Sequence, residues 1–166
     1  MSRGSLRFVL VAGAACALGA AVARGQAERQ PVYVGALACA ECHEGHGTGN
    51  QYSHWLRSQH AEAWASLALP EAKEMARLSG ITDVPEQSPM CLGCHATAAE
   101  AEEWERVEGF RIEDGVQCEK CHGPGSEHVA QWRLDKPPAF KFRPLGAGDC
   151  IQCHHGEFSR PFDWDE

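Results

Sequence analysis

Apolar residues are distributed unevenly along this chain of 166 residues. The longest apolar run extends from Phe8 to Val22, follows two arginines, and ends in small residues before any acidic residue occurs. A basic start, an apolar run shorter than about 20 residues and a small-residue end are typical of a secretory signal peptide. We therefore expect residues 1–23 to be an export signal, with a retained membrane anchor as the alternative. Residues 24–166 are expected to form a single domain.

Beyond this segment, the apolar positions repeat with helical rather than strand-like spacing. Spacings of three and four residues predict an amphipathic helix over residues 53–67. Proline at the start and glycine at the end predict another helix over residues 70–80. Further helices are expected over residues 96–107 and after the capping residue Ser126. Residues 135–148 contain three prolines and are expected to be a loop, so the predicted fold class is mainly α with long loops.

Two details of these helices are also predicted. Met75 lies in the apolar pattern of residues 70–80 and is expected in the core, although methionine could in principle bind a haem iron, as could Met90. The acidic run Glu100, Glu102, Glu103 and Glu105 is interpreted as a solvated face.

Eight cysteines follow the signal segment, and all of them fall into CxxC pairs that a histidine follows directly. These four units are numbered here by their order in the chain: residues 39–43 (unit 1, CAECH), 91–95 (unit 2, CLGCH), 118–122 (unit 3, CEKCH) and 150–154 (unit 4, CIQCH). Histidine makes up 9 of the 166 residues. Four such matches by chance would therefore have a probability of roughly 10⁻⁵.

The CxxCH pattern is the attachment sequence of c-type haem. Two thiols three positions apart form thioethers to the vinyl groups of one haem, and the next histidine binds the iron. The predicted thioether residues are Cys39, Cys42, Cys91, Cys94, Cys118, Cys121, Cys150 and Cys153, and the predicted proximal ligands are His43, His95, His122 and His154. Zinc ribbons and disulfides are the alternatives, but zinc gives no reason for the histidine and CxxC disulfides tend to be redox-active.

Four covalent haems are the cofactors expected from these units. Residues 24–166 are too few to bury each haem separately, so packed haems are expected to form much of the apolar core. The five tryptophans are expected to pack against them. Closely packed haems exchange electrons, which indicates an electron carrier.

Charge limits the partners of such a carrier. The net charge is −8, and removing the signal segment, which holds Arg3 and Arg7 and no acid, makes it −10. Like charges would repel the phosphates of nucleic acids and anionic lipids. We expect a redox donor and acceptor with a basic docking surface, no nucleic acid, and membrane contact only where the signal segment is retained. The signal segment and the haem sites both predict a periplasmic or otherwise exported protein.

Five histidines outside the units are candidate distal ligands: His46, His54, His60, His128 and His155. A second axial histidine closes an iron to substrates and suits it to electron transfer. His155 cannot bind the same iron as its neighbour His154, because axial ligands approach from opposite faces. His128 follows His122 across a Gly-Pro-Gly turn, so it is expected to serve a different haem.

The order of motifs resembles the tetrahaem cytochrome c family of ammonia-oxidising bacteria and its wider relatives. After unit 1, Trp55, Ser58, His60 and Ala61 form W-x-x-S-x-H-A; after unit 2, Gly115 and Val116 precede unit 3, which continues into Gly-Pro-Gly and the nearby His128. The resemblance covers roughly residues 33–155. It implies that His128 caps the haem held by His43, that His60 caps the haem held by His122, and that the haem on His95 is five-coordinate.

In this family a histidine that precedes the last unit caps the fourth haem. The corresponding segment KFRPLGAGDC of this chain has no histidine. For the haem on His154, the alternatives are His54, His46, a ligand from an oligomer partner, or an open position. In the family's type member, the electrons come from hydroxylamine oxidation.

Three functions are compatible with these observations. The leading hypothesis is an exported tetrahaem cytochrome that transfers electrons between redox partners and is not an enzyme. The second is a haem enzyme that acts on a small nitrogen or oxygen species at an open iron. The third is a haem subunit of a larger respiratory complex or filament.

Overall fold

The computed structural model describes residues 30–134, 141–156 and 159. Eight short α-helices occur in this part of the chain: α1 (Ala36–His43), α2 (Gln51–Leu56), α3 (Ala63–Ser66), α4 (Pro70–Leu78), α5 (Pro89–His95), α6 (Cys118–His122), α7 (Ser126–Arg133) and α8 (Ala147–Cys150). Short 3₁₀ turns span Pro85–Gln87, Glu103–Glu105 and Ile112–Asp114. Strands are absent from the described residues, where a single bridge joins Tyr33 and Arg106. The mainly α fold with long loops is therefore confirmed. The signal segment and residues 135–140 of the expected loop lie outside the described residues.

The helix expected over residues 53–67 is divided into α2 and α3, so the prediction of one continuous helix was wrong. Residues 57–62 between them form turns. The carbonyl of His60 accepts a hydrogen bond from the backbone N–H of Val116 at 2.9 Å, a long-range bond that local periodicity does not reveal. The break holds His60 against the segment that precedes unit 3.

The helix expected over residues 70–80 is confirmed, and its ends follow the predicted signals. Pro70 is the first residue of α4, and Gly80 has a φ of 71°, the left-handed conformation that suits glycine after a helix. The expectation that Met75 lies in the core was wrong, because the residue is 57 % exposed on the outer side of this amphipathic helix.

The helix expected over residues 96–107 was also wrong. Ala96 has extended backbone angles and Ala98 has a φ of 54°, so the chain leaves helical geometry directly after α5. Thr97 is fully buried, donates its backbone N–H to the carbonyl of Gly115, and accepts a hydrogen bond from Gln117 through its hydroxyl. These tertiary bonds outweigh the high helix propensity of a segment rich in alanine and glutamate. Within the acidic run, Glu100, Glu102 and Glu103 are exposed.

Two smaller expectations about helix ends need correction. Ser126 is the first residue of α7 rather than its cap, because its hydroxyl accepts a hydrogen bond from Val32 at 2.9 Å instead of capping α7. Ala147 and Gly148, expected in a loop, begin α8. There the carboxylate of Asp149 accepts the backbone N–H of Gly146 and thereby caps the short helix.

The apolar core of the described residues is small. Leu67, Leu92 and Ala96 form its buried cluster, against which Trp64 and Ile112 pack. Several buried residues are polar instead: Ser88, Thr97, Gln117 and Glu119. A hydrogen-bonded polar frame therefore accompanies a modest apolar cluster.

Among the residues that the structure describes, no helix has the length and apolar character needed to cross a membrane.

Candidate haem-binding site

Each CxxCH unit lies on or directly after a short helix. Units 1 and 2 end α1 and α5, unit 3 is the whole of α6, and unit 4 begins at the last residue of α8. Residues three positions apart lie on the same face of a helix. In the first three units both cysteines can therefore point toward one macrocycle while the histidine ends the helix beside them.

The rings of His43 and His128 are neighbours and nearly parallel. Their centroids are 6.3 Å apart and their planes differ by 24°. When two imidazoles bind one metal from opposite sides, each metal–nitrogen bond is about 2.0–2.1 Å long. Adding the distance from each nitrogen to the centre of its ring gives a centroid separation of about 6 Å. The two rings therefore have the spacing of two axial ligands on one iron, on the pairing that the family resemblance implies.

The resemblance implies that His60 is the partner of His122. In the structure, the ring of His60 lies beside His154 instead. The centroids of His60 and His154 are 5.9 Å apart and the interplanar angle is 65°. Two imidazoles that bind one metal can rotate about their metal–nitrogen bonds, so an interplanar angle of 65° is compatible with two axial ligands. The centroid separation of 5.9 Å also fits two such ligands. His60 therefore lies beside the unit whose preceding segment contains no histidine.

The ring of His122 contacts Phe142, with centroids 5.2 Å apart, and Phe142 also contacts His128 at 5.0 Å. Phe142 therefore lies between the proximal histidine of unit 3 and the histidine beside unit 1. Trp132 contacts His128 from another side at 6.4 Å. Large aromatic surfaces of this kind suit packing against a flat apolar group.

His95 is oriented by the backbone of α3. Its Nδ1 is 2.8 Å from the carbonyl oxygen of Ala63 and 3.3 Å from Oγ of Ser66. A histidine that binds a metal through Nε2 carries its proton on Nδ1 and donates it to such a carbonyl. The arrangement therefore leaves Nε2 as the ring nitrogen available to a metal.

Burial favours the neutral, metal-binding form of several histidines. It lowers the pKa of His60, and the neighbouring His154 lowers that pKa further. Burial and then His43 lower the pKa of His128. The pKa of His122 is lowered by burial first and by Arg143 second.

Cysteines of different units lie close together. The thiol of Cys39, which donates to the carbonyl of Gly35 at 3.6 Å, lies beside the thiol of Cys118, and the interaction of the two thiols raises the pKa of Cys39 and lowers that of Cys118 to about 7. This contact places unit 1 beside unit 3.

Unit 4 has neighbours on two sides. Burial, and then a hydrogen bond to Cys94, raises the pKa of Cys153 to about 11, so unit 4 lies beside unit 2. Burial and then the nearby Cys150 raise the pKa of Cys121, so unit 4 also lies beside unit 3. By the neighbours of their cysteines, the units follow the order unit 1, unit 3, unit 4, unit 2, which differs from their order in the chain. Lys120 of unit 3 also donates to the carbonyl of Gly93 in unit 2 at 2.6 Å, so units 2, 3 and 4 are mutual neighbours.

A buried carboxylate fixes unit 3. Glu119, only 3 % exposed, accepts backbone N–H bonds from Val34, Gly35 and Gly125 at 2.7 to 3.1 Å. Burial raises its pKa, and the three N–H donors oppose that effect. Gln117 adds a bond from the N–H of Ala36 at 2.7 Å. The start of α1, unit 3 and the following Gly-Pro-Gly turn are thus held as one body.

Sequence reasoning did not identify these supporting residues. In the sequence, Glu119 and Gln117 resemble ordinary surface residues. Their one signal is their position, since Glu119 lies inside the CxxCH pattern of unit 3 and Gln117 directly before it. The sequence also carried no signal for four further residues that contact the histidines: Ala63, Ser66, Phe142 and Gln51.

Apolar side chains flank the units. Leu37, Met90 and Ile151, each within two positions of a cysteine, are 67 %, 70 % and 53 % exposed. A haem attached at the adjacent cysteines is a large apolar surface that would cover them, so these residues fit the group that the motif implies. The eight cysteines of the described residues are unbridged.

The other three candidate distal histidines, His46, His54 and His155, are exposed, as is His60. Nδ1 of His46 is 3.4 Å from Nδ2 of Asn50.

Comparison with known proteins returns multihaem cytochromes. A family model described as "Cytochrome c554 and c-prime" matches residues 38–123, which include units 1 to 3. Cytochrome c-554 from Nitrosomonas europaea is 33% identical over 102 residues, which are 56% of this chain and 39% of that protein. C-type polyheme cytochrome OmcC from Geobacter sulfurreducens is 31% identical over 71 residues, which are 40% of this chain and 9% of that protein.

The chain thus spans less than half the length of either relative. No solved structure matches it. The family match covers about half of the chain and decides between haem and zinc, because its members are c-type cytochromes that bind haem covalently and transfer electrons to and from redox proteins. The chain belongs to the cytochrome c554 and c-prime family of multihaem c-type cytochromes.

Proposed function

We propose that this chain is an exported tetrahaem cytochrome that transfers electrons between two redox proteins, with a haem attached at each of the four units. The observation that carries the proposal is the continuous row of contacts between units. Cys39 lies near Cys118, Cys121 near Cys150, and Cys153 near Cys94, and Lys120 of unit 3 donates to the carbonyl of Gly93 in unit 2 at 2.6 Å. No unit is isolated from this row.

The proposed attachment residues are those of the CxxCH pattern: thioethers at Cys39, Cys42, Cys91, Cys94, Cys118, Cys121, Cys150 and Cys153, and proximal ligands His43, His95, His122 and His154. His128 is the proposed distal ligand opposite His43, and His60 is the proposed distal ligand opposite His154, as their ring spacings support. The proposal gives no ligand role to the exposed His46, His54 and His155.

Haem iron, when bound, supplies one-electron redox chemistry. The chain's own residues fix where that chemistry takes place. Glu119 ties the start of α1 to unit 3, Lys120 donates to the carbonyl of Gly93 in unit 2 at 2.6 Å, and Arg133 bonds Glu41 across α7 and α1 at 2.7 Å. Units that cannot move apart keep their attachment sites at a constant separation.

In the series of cysteine neighbours, units 1 and 2 are the two end members. We therefore propose that one redox partner docks near unit 1 and the other near unit 2. The net charge of −8, or −10 without residues 1–23, favours partners with basic docking surfaces.

The experiment uses the protein produced in a host that matures c-type cytochromes. Its intact mass should correspond to four covalent haems, and replacing Cys118 and Cys121 by alanine should reduce the number to three. The dithionite-reduced protein should be reoxidised by a basic monohaem cytochrome c, more slowly at high salt because charge steers the encounter. Fewer than four haems, or no electron exchange, would refute the proposal.

Export is tested separately. We propose that residues 1–23 are removed and that residues 24–166 form the mature domain. N-terminal sequencing of protein from the periplasmic fraction should begin directly after Ala23. A cytoplasmic protein that retains this segment would contradict the export proposal and leave the haem count unaffected.

A further inference from the structure

The loop over residues 45–50 is closed by one carbonyl group. The oxygen of Gly45 accepts the backbone N–H groups of Thr48, Gly49 and Asn50 at 3.1 to 3.2 Å, and also the hydroxyl of Thr48 at 3.3 Å. Gly49 and Asn50 have φ angles of 97° and 56°. These left-handed residues reverse the chain, so that α2 begins at Gln51, beside the end of α1.

The side chain of Gln51 folds back over Gly49. A Cβ added at Gly49 would lie 2.9 Å from Nε2 of Gln51, so glycine leaves the room that this side chain occupies. In this position Oε1 of Gln51 is 3.3 Å from Nδ1 of His43. The loop therefore carries an amide oxygen to the proximal histidine of unit 1.

The proton arrangement follows from the ligand role. If His43 binds iron through Nε2, its Nδ1 carries the hydrogen and donates it to Oε1 of Gln51. An acceptor on this hydrogen makes the imidazole a stronger electron donor to the metal, which favours Fe(III) over Fe(II).

Unit 2 provides a contrast. Nδ1 of His95 is paired with the main-chain carbonyl of Ala63 at 2.8 Å, an acceptor that side-chain substitution does not remove. The acceptor for His43 belongs to a side chain. Substitution of that side chain can therefore change the properties of unit 1 without moving its backbone.

We propose that Gln51 is a positioning residue that fixes the tautomer and ring orientation of His43 and lowers the reduction potential of the haem attached at unit 1. The proposal rests on the proposed attachment of a haem at this unit.

The test compares Gln51→Ala and Gln51→Glu in the mature holoprotein by potentiometric titration and EPR. Loss of the acceptor in Gln51→Ala should shift one of the four one-electron transitions upward by about threefold to tenfold in its equilibrium constant, where tenfold is 59 mV for one electron. The stronger carboxylate acceptor in Gln51→Glu should shift the same transition downward. The low-spin EPR signal of the His43 and His128 pair should change in both variants.

Thr48→Ala is the matched control, because it removes a side-chain bond from the same loop and leaves the contact between Gln51 and His43. Its potentials should equal those of the wild type. Four unchanged potentials in both Gln51 variants, or shifts in the same direction, would overturn the role of Gln51.

Haem counting by intact mass keeps the two proposals distinguishable. A wild-type protein without haem at unit 1 refutes the proposed function, whereas four haems with unchanged potentials refute the role of Gln51 alone. If Gln51→Ala fails to mature, Gln51→Leu decides instead, because leucine keeps much of the size of the side chain, adds no charge and removes the acceptor of the His43 proton; an unchanged potential in Gln51→Leu would overturn the role of Gln51.

Discussion

At the residue scale, hydrogen bonds of buried polar side chains hold separate segments together, a role that apolar packing has in larger domains. Glu119 satisfies three backbone N–H groups, and Gln117 satisfies one more N–H and donates to the carbonyl of Arg111. Buried polar groups of this kind are stable only while each keeps its partner. A single lost acceptor should therefore be costly.

Glu119→Gln should lower the free energy of unfolding by about 1–3 kcal/mol, because the amide nitrogen leaves at least one backbone donor unsatisfied. Chemical denaturation of the holoprotein measures the change. Glu103→Gln, an equal substitution at an exposed position, should alter stability by less than about 0.5 kcal/mol. Equal effects of the two variants would show that the Glu119 carboxylate does not hold unit 3.

His128→Ala should convert one low-spin haem to high-spin, because the ring that lies 6.3 Å from that of His43 is removed. All four haems should stay attached, since no cysteine changes. EPR of the oxidised protein measures the spin states, with the exposed His46→Ala as the control that should leave them unchanged. A His128→Ala spectrum equal to that of the wild type would remove His128 from the ligand set.

At the element scale, two distant motifs act as one structure. Nε1 of Trp55 donates to the carbonyl of Val116 at 2.7 Å, and the N–H of Val116 donates to the carbonyl of His60 at 2.9 Å. The segment that carries His60 therefore pairs with the segment that leads into unit 3. The periodicity of residues 53–67 predicted helical structure but not its break, because the competing bonds come from residues more than 50 positions away.

Gly115 is the point of closest approach between these segments. A Cβ there would lie 2.6 Å from the oxygen of His60 and 2.9 Å from that of Ala61, at a φ of 74°. Gly115→Ala should therefore cost more than the roughly 1–3 kcal/mol of an unfavourable backbone conformation, and should perturb the low-spin signal assigned to His60 and His154.

Gly109→Ala is the matched control for this prediction. Gly109 has a similar φ of 83°, but a Cβ there would meet nothing within 4 Å. Its variant should pay only the conformational cost and leave the EPR spectrum intact. Equal denaturation midpoints for the two variants would exclude the steric role of Gly115.

The ion pair between Asp149 and Arg143 should be lost at low pH. Hydrogen bonds from Arg143, and next from the N–H of Gly146, lower the pKa of Asp149 to about 2. A lowered folded-state pKa means that the stabilising contribution is present above the ordinary value of 3.8 and is lost as the pH falls through about 2. Arg143→Ala should raise this pKa toward 3.8 in a carboxyl NMR titration, whereas Arg111→Ala should not change it. An unchanged pKa in Arg143→Ala would rule out the ion pair.

At the scale of the whole molecule, the spatial order of the attachment sites is the main result. The CxxCH spacing predicted which residues form the units, and helical periodicity predicted α4 and the mainly α fold. The order unit 1, unit 3, unit 4, unit 2 could not be predicted, because it depends on contacts such as that between Cys39 and Cys118. The placement of His60 beside His154 depends on the same long-range packing.

Anomalous diffraction at the iron edge, from crystals of the mature holoprotein, tests this account most directly. Four iron positions should be found, with the iron at His122 between those at His43 and His154, and the iron at His95 next to that at His154. Irons arranged in the order of the chain, with those at His43 and His95 as neighbours at one end, would contradict the account.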